Sequence, residues 1–210
     1  MTNEITCNWQ HVQESFYIEN KVLTVATQLL GKILATSFNG QLTAGRIVET
    51  EAYQGVTDRA SHAWGGRLTN RTRVMYGQGG VAYVYLCYGI HHLFNIVTGG
   101  QDTPHVVLIR ALEPVCGIDI MQERMGKKQV DLTLTKGPGN LSRALGINTT
   151  HTGLSLVESD IFVADDGYMP AKKVIAATPR IGVDYAGPDA ALPYRFIIKD
   201  NPYVSGKKLK

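Results

Sequence analysis

The chain of 210 residues has little cysteine and no cysteine pattern. Its three cysteines, Cys7, Cys87 and Cys116, are odd in number, widely spaced and free of CxxC pairs. A disulfide framework needs paired cysteines in an oxidising compartment, and a zinc knuckle needs closely spaced thiolates. The pattern disfavours both, and we expect a protein of the reducing cytoplasm.

Long apolar segments are also missing. The longest unbroken apolar run, Val81 to Tyr88, has eight residues, whereas a membrane-spanning helix needs about 20. The first twenty residues carry Glu4, Glu14 and Glu19 and no long apolar stretch, so we expect neither a signal peptide nor a membrane partner. The net charge of +3 and the apolar fraction of 44% exclude intrinsic disorder.

Lysine is absent between Lys32 and Lys127, which argues against Schiff-base chemistry there because that chemistry needs a nucleophilic amine. The interval instead holds seven arginines, four of them in a stretch rich in glycine, threonine and asparagine. These four are Arg59, Arg67, Arg71 and Arg73. Because guanidinium groups match phosphate geometry, the stretch is either a contact to a nucleic-acid backbone or simply a solvated basic loop.

Apolar periodicity and turn signals predict one α+β domain over residues 1–210. A helix is predicted over residues 21–30 with Asn20 as its cap, and the Asn39-Gly40 pair predicts a hairpin between strands Ile33–Phe38 and Gln41–Tyr53. Further strands are predicted at residues 81–88, 91–98, 105–112, 162–163 and 194–199, and short helices at residues 118–125 and 140–145. Residues 54–80 form a connection of a length that is usually functional.

Tyrosines are concentrated around the second predicted hairpin. Tyr83 and Tyr85 alternate onto one face of its first strand, where aromatic side chains normally pack against neighbours. The tight turn at Gly89 places Tyr88 at the tip, where it has little to pack against. An exposed aromatic residue at a tip is a candidate for stacking on bases or wedging between them.

Two glutamates and an arginine are candidates for chemistry. Glu49 and Glu51 share a strand face with Tyr53, where a partly dehydrated carboxylate can serve as a general base. Alternatively, this face simply points to water. Arg110 lies in a segment that is apolar on both faces, which is typical of a strand buried on both sides. Because an unpaired buried charge is costly, we expect Arg110 to meet a carboxylate or a bound anion.

No metal or cofactor site is predicted. The six histidines form no HxxxH or Cys/His cluster, and His91 and His92 are adjacent, so they point to opposite faces of a strand. The segment Gly137-Pro138-Gly139 precedes a predicted helix and could hold an anion there. It lacks the Lys-Ser/Thr pair of a phosphate-binding loop, which favours a plain turn.

Several motifs occur in a fixed order along the chain. They are RIVETEAY at residues 46–53, ASH at 60–62, YVYLCYG at 83–89 with Asn95-Ile96 after it, IRALEP at 109–114, Gly137-Pro138, and PRIGV at 179–183. In this order and spacing they resemble the alkyladenine (3-methyladenine) DNA glycosylase family. The resemblance covers about residues 20–205, which is nearly the whole chain.

The resemblance implies a fold and an activity. The fold is a single mixed domain on a curved antiparallel β-sheet, with surrounding helices and a protruding β-hairpin that enters the DNA minor groove. The activity is a monofunctional, cofactor-free hydrolysis of the N-glycosidic bond of a damaged purine that has been flipped out of the duplex. The implied substrates are 3-methyladenine, 7-methylguanine, hypoxanthine and etheno adducts. The expected partner is double-stranded DNA containing such purines, bound by a monomer.

The resemblance also implies roles for individual residues. Glu51 is the general base, and Arg110 and the backbone carbonyl of Ile181 help to hold the attacking water. Tyr88 fills the gap that the flipped nucleotide leaves. In the pocket, Tyr53 and Tyr85 stack on the base and His62 hydrogen-bonds to it. Asn95 excludes the guanine 2-amino group. The positive charge of an alkylated base is expected to favour stacking on electron-rich tyrosine faces.

Two other interpretations stay open. One is a non-catalytic module that binds damaged DNA on the same scaffold, which needs the arginine loop and the tip tyrosine but not Glu51 facing Arg110. The other is a hydrolase of small glycosides or nucleosides, which uses Glu49 and Glu51 and needs no wedge.

Overall fold

The computed structural model describes residues 9–18 and 21–206, and within them nine strands form one antiparallel sheet. The strands are β1 (Gln10–His11), β2 (Ile33–Phe38), β3 (Gln41–Tyr53), β4 (Ala82–Cys87), β5 (His91–Thr98), β6 (His105–Cys116), β7 (Ile161–Asp165), β8 (Ile175–Thr178) and β9 (Arg195–Ile198). The α-helices of the same residues are α1 (Glu14–Ile18), α2 (Val22–Gln28), α3 (Ile118–Met125) and α4 (Pro138–Ala144). The predicted α+β fold with an antiparallel sheet is confirmed.

Strand β3 occupies the middle of the sheet. The strand order is β1-β7-β2-β3-β6-β5-β4, and β9 pairs with both β3 and β8. The hairpin of β2 and β3 turns at Asn39-Gly40 as predicted, with Phe38 opposite Gln41. Farther along β3, Glu51 lies between Leu108 of β6 and Arg195 of β9. The carboxylate-bearing end of β3 is therefore flanked by strands on both sides.

The strand predicted at residues 105–112 is longer in the structure, where β6 continues through Glu113-Pro114 to Cys116. Proline has no N–H to donate to a neighbouring strand, so within sheets it is confined to edges and bulges. Pro114 pairs with Gly45 next to a register shift between Ala44 and Gly45. At such an irregularity the hydrogen bonds between the two strands are already interrupted, so the N–H that Pro114 lacks does not end the strand.

The helices follow the sequence pattern closely, with two differences. Helix α3 has the predicted bounds, whereas α2 is shorter than predicted, and its predicted cap, Asn20, lies outside the described residues. Helix α4 begins at Pro138, so Gly137-Pro138-Gly139 is not a separate turn but the start of this helix. Proline is well suited to the first helical position because the N–H that it lacks has no helical acceptor there.

Two apolar clusters pack the helices and the 54–80 connection against the sheet. The main core packs α2, α3 and α4 against the sheet through residues such as Phe94 and Leu141. A smaller cluster joins β4, β5 and β6 to the 54–80 connection and contains Met75 and Tyr83, with Tyr53 and Tyr85 packed against it. The connection itself is folded into three short 3₁₀ turns. Among the described helices, none has the length and apolarity needed to cross a bilayer.

Candidate active site

A cavity of about 920 Å³ opens between β4, the 54–80 connection and the segment that follows β8. It brings together most of the residues that the sequence predicts for the site. Those in its wall are Tyr53, Arg59, His62, Arg67, Arg71, Tyr85, Tyr88, Asn95, Arg110 and Ile181. Glu51 and Arg73 do not line it: Glu51 lies directly behind the wall, and Arg73 lies on an outer turn of the connection.

Glu51 is fully buried, and both of its carboxylate oxygens are bound by groups that line the cavity. Oε1 accepts a hydrogen bond from the backbone N–H of Ile181 at 2.8 Å. Oε2 accepts from the Tyr53 hydroxyl at 2.8 Å and from Arg110 Nη1 at 3.2 Å. The interpretation that this strand face points to water is therefore wrong, because the 180–183 segment and Arg110 cover it.

Arg110 is paired, as its buried position predicts. Its Nε donates to Glu49 Oε1 at 3.1 Å, and its Nη1 donates to Glu51. Burial alone lowers the pKa of Arg110, but the charges of Glu51 and Glu49 outweigh it and raise the pKa above that of an ordinary guanidinium. The side chain therefore stays charged while it lines the cavity.

Glu49 is engaged by structural contacts and does not line the cavity. Arg195 Nε donates to its Oε1 at 2.7 Å, and the backbone N–H of Ser205 donates to its Oε2 at 2.6 Å. The two partners lie 146 and 156 positions away in the chain. Local spacing carries no signal for such contacts, so the sequence analysis could not separate the role of Glu49 from that of Glu51.

The segment that contacts Glu51 is clamped to the sheet by a buried ion pair. Arg180 Nη2 lies 2.8 Å from Asp58 Oδ1, Nη1 contacts the other oxygen, and Nη1 also donates to the Ala52 carbonyl at 3.0 Å. The sequence analysis gave neither residue a role, although Arg180 belongs to the PRIGV motif. At Ile181 the group that touches Glu51 is the N–H, so the role expected for its carbonyl stays a prediction.

His62 lies against two tyrosines of β4. Its Nδ1 is 2.8 Å from the Tyr83 hydroxyl, and its ring meets Tyr85 edge-on with centroids 4.6 Å apart. Burial, followed by the positive charges of Arg71 and Arg67, lowers the pKa of His62 to about 4. The imidazole is therefore neutral near pH 7.

Asn95 combines a structural contact with a position in the cavity wall. It is directly opposite Tyr83 in the β4–β5 ladder, and residues in that relation share one face of the sheet. Its Nδ2 donates to the carbonyls of Tyr83 and Leu93, each at 3.1 Å. The side chain thus satisfies backbone groups of the hairpin and also lines the cavity.

Tyr88 is at the tip of the hairpin, with 90% of its surface exposed. Its φ is +50° and that of Gly89 is +73°, and a positive φ is uncommon and strained for a bulky side chain. Leu86 and Ile90 beside it are also exposed. The tip therefore presents an apolar, aromatic edge to solvent, as the wedge prediction requires.

The four loop arginines differ in their surroundings. Arg59, Arg67 and Arg73 are exposed, which a contact to phosphates requires. Arg71 is exposed as well, but its Cζ lies 4.9 Å from the centre of the Tyr85 ring. An Arg71 that contacts the DNA backbone would have to leave its position beside the tyrosine rings of the pocket, so its predicted phosphate contact stays a prediction.

A cavity lined by tyrosine rings, with an arginine-bound carboxylate directly behind its wall, suits an aromatic base better than a flexible chain. The opening of the cavity is bordered by a basic loop and by an exposed aromatic tip. The fold and the site therefore define a class: hydrolases that act on a base carried by a nucleic acid.

Comparison with known proteins identifies the family within this class. Residues 15–202 match the family Methylpurine-DNA glycosylase (MPG). A "Putative 3-methyladenine DNA glycosylase" of Bacillus cereus (strain G9842) is 47% identical over 201 residues, covering 92% of this chain and 98% of the relative. Proteins of the same name from Chlamydia felis (strain Fe/C-56) and Chlamydia pneumoniae are 46% and 44% identical, covering 88% and 94% of this chain and 94% and 99% of the relatives.

The chain belongs to the methylpurine-DNA glycosylase family. It is a DNA glycosylase, a hydrolase of N-glycosyl bonds with DNA as its substrate.

Proposed function

We propose that this DNA glycosylase excises damaged purines that it has flipped out of duplex DNA, and that a water activated by Glu51 cleaves the bond. The proposed substrates are 3-methyladenine, 7-methylguanine, hypoxanthine and etheno adducts. One observation carries the proposal: the fully buried Glu51 is held by three groups that all line the aromatic cavity.

The chemistry follows from the charges that develop during the reaction. Loss of a purine from deoxyribose passes through an oxocarbenium-like state, as in glycoside hydrolysis. Glu51 stabilises this cation and takes a proton from water as the water oxygen bonds to C1′, while the C1′–N9 bond electrons leave with the base. Arg110, 3.2 Å from Glu51 Oε2, stabilises the negative charge on the carboxylate before the reaction.

The pocket binds the base by stacking and by hydrogen bonds. Tyr53 and Tyr85 offer ring faces for stacking. Burial is the main cause that raises the pKa of both phenols, so their hydroxyls stay protonated. The neutral His62 has one donor and one acceptor nitrogen, and a hydrogen bond from it to the base takes the place of a contact with Tyr83 or Arg71. Asn95 limits the space next to the position of the guanine 2-amino group, so normal guanine is disfavoured by shape.

The hairpin and the loop bind the DNA around the flipped nucleotide. Tyr88 fills the space that the base leaves in the stack, which offsets part of the few kcal/mol that flipping costs. Arg59, Arg67 and Arg73 contact phosphates. One flipped base needs one pocket, so we propose that the chain works as a monomer and as one domain, without a cofactor, in the cytoplasm.

The two other interpretations differ in what they require of the carboxylates. A hydrolase that uses Glu49 together with Glu51 has little support, because two residues bind Glu49 away from the cavity. A non-catalytic module does not need a buried carboxylate behind the cavity.

A duplex that carries a single hypoxanthine tests the proposal. The protein is incubated with the end-labelled duplex, the products are treated with hot alkali, and strand breakage at the lesion is measured on a gel. Breakage at hypoxanthine supports the proposal. Binding in a mobility-shift assay without breakage would favour the non-catalytic module, and neither binding nor breakage would favour a substrate outside DNA duplexes with this lesion. Duplexes with 7-methylguanine, 3-methyladenine and ethenoadenine then extend the substrate range.

A further inference from the structure

Both tyrosines that are proposed to stack on the base already carry a guanidinium group on a ring face. The Cζ of Arg180 lies 4.7 Å from the centre of the Tyr53 ring, and the Cζ of Arg71 lies 4.9 Å from the centre of the Tyr85 ring. These distances are within the range of cation–π attraction. The rings are therefore not free electron-rich surfaces.

The two arginines differ in how their charge is balanced. Arg180 is buried and forms its two-pronged ion pair with Asp58, which neutralises it locally. Arg71 is exposed, and within residues 9–18 and 21–206 no carboxylate forms an ion pair with it. Arg71 thus leaves a net positive charge at the mouth of the base pocket.

Arg71 is fixed at the rings by neutral partners. Its Nη2 lies 2.9 Å from His62 Nε2, and its Nε donates to the Tyr83 hydroxyl at 3.2 Å. The same Nη2 lies 3.2 Å from His62 Nδ1, which is itself 2.8 Å from the Tyr83 oxygen. Because a guanidinium can only donate, a ring nitrogen of His62 accepts from Arg71. A His62 that accepts from Arg71 is neutral, so within this group of contacting side chains Arg71 brings the positive charge to the Tyr85 ring.

This arrangement opposes the binding of a cationic base. A ring that already attracts one cation attracts a second one less, and two like charges in the same cavity repel each other. A neutral purine such as hypoxanthine stacks without that repulsion. The expectation that positive charge favours stacking in this pocket therefore has to be reversed for the Tyr85 side.

We propose that Arg71 is a specificity residue that lowers the preference of this enzyme for cationic methylated purines relative to neutral damaged purines. The proposal rests on the proposed function, since it assumes that Tyr85 stacks on the flipped base. It assigns Arg71 to substrate selection rather than to the phosphate contact expected from the sequence.

The test compares excision from two duplexes, one with a single 7-methylguanine and one with a single hypoxanthine. Single-turnover rates are measured with excess protein, and the enzyme-free depurination rate is subtracted. The variants are Arg71→Gln, which keeps a planar donor group without the charge, and Arg71→Ala. The matched control is Arg73→Gln, which removes the same charge from the same connection but not from the cavity wall.

The rate on 7-methylguanine relative to hypoxanthine should rise roughly 3- to 30-fold in both Arg71 variants, the range that corresponds to one cation–π contact. In Arg73→Gln both rates should change together. An unchanged ratio in the Arg71 variants, or an equal change in Arg73→Gln, would overturn the specificity role. Failure of the proposed function is distinct, since the wild-type protein would then excise neither base.

Discussion

The backbone N–H of Ile181 donates to Glu51 Oε1 over 2.8 Å, although 130 positions separate the two residues. The ion pair of Arg180 with Asp58 holds the 180–183 segment against β3 and so maintains this contact. The donor of this bond is fixed by the backbone, and Tyr53 and Arg110 hold the other oxygen of the Glu51 side chain. The carboxylate that we propose as the general base is therefore oriented by the fold before DNA binds.

We expect Tyr88→Ala to weaken binding to a duplex with a lesion by ~1–3 kcal/mol, the order of one base–aromatic stack. The proposed wedge acts on the flipped state rather than on the cleavage step, so excision from single-stranded DNA should suffer much less than excision from the duplex. Affinities from fluorescence anisotropy and single-turnover rates on both substrates check this. Equal losses on the two substrates would remove the wedge role, and Tyr88→Phe should behave like the wild-type protein.

Asn95→Ser should raise the excision of guanine, measured from a G·T mismatch where flipping is easiest. A single small group in a pocket is worth only ~1–3 kcal/mol, so we expect the wild-type exclusion to be incomplete and the gain in guanine excision to be of that order. Excision of hypoxanthine should survive, although the contacts of Asn95 with the Tyr83 and Leu93 carbonyls are weakened. A parallel loss on guanine and hypoxanthine, together with a lower melting temperature, would show a purely structural residue.

The low pKa of His62 predicts a specific loss of stability in acid. The imidazole protonates at about pH 4 when folded and at its ordinary value of 6.5 when unfolded. As the pH falls through this window, the unfolded chain takes up a proton that the native protein does not, so the free energy of unfolding decreases by at most roughly 3 kcal/mol. Above pH 6.5 His62 is neutral in both the folded and the unfolded state, so it causes no such loss of stability.

Urea unfolding at pH 7.5 and pH 4.5 measures this effect. The variant His62→Gln should lose less stability between the two pH values than the wild-type protein, because Gln does not titrate. The same loss in both proteins would mean that carboxylates alone govern the acid sensitivity.

Local sequence patterns predicted the elements whose hydrogen bonds are local. The Asn39-Gly40 hairpin, the hairpin with Tyr88 near its tip and helix α3 all have turn or cap signals within their own segments. The pairing of Arg110 was predictable for a different reason, namely the cost of an unpaired charge in a strand that is apolar on both faces. Strands β1 and β8 are too short to show alternation and were not predicted.

The parts of the site that the sequence did not reveal depend on distant contacts. Glu49 and Glu51 are alike in sequence, and only Arg195, Ser205 and the 180–183 segment distinguish their surroundings. The position of Arg71 was also beyond sequence reasoning, because a loop arginine can face either phosphates or the pocket. The family resemblance supplied what local patterns could not: an order of motifs that lie far apart in the chain.

The most direct test of the account is the single-turnover excision of hypoxanthine from duplex DNA by Glu51→Gln. Gln keeps the shape of the side chain, but its single amide oxygen can replace only one of the two carboxylate oxygens that accept from Ile181 and Arg110, and it cannot take a proton from water. Excision should fall roughly 10²–10⁴-fold, the range for loss of a general base, while affinity for the lesion and the melting temperature change little. Excision at close to the wild-type rate by the folded variant would contradict the assignment of Glu51 and the mechanism built on it.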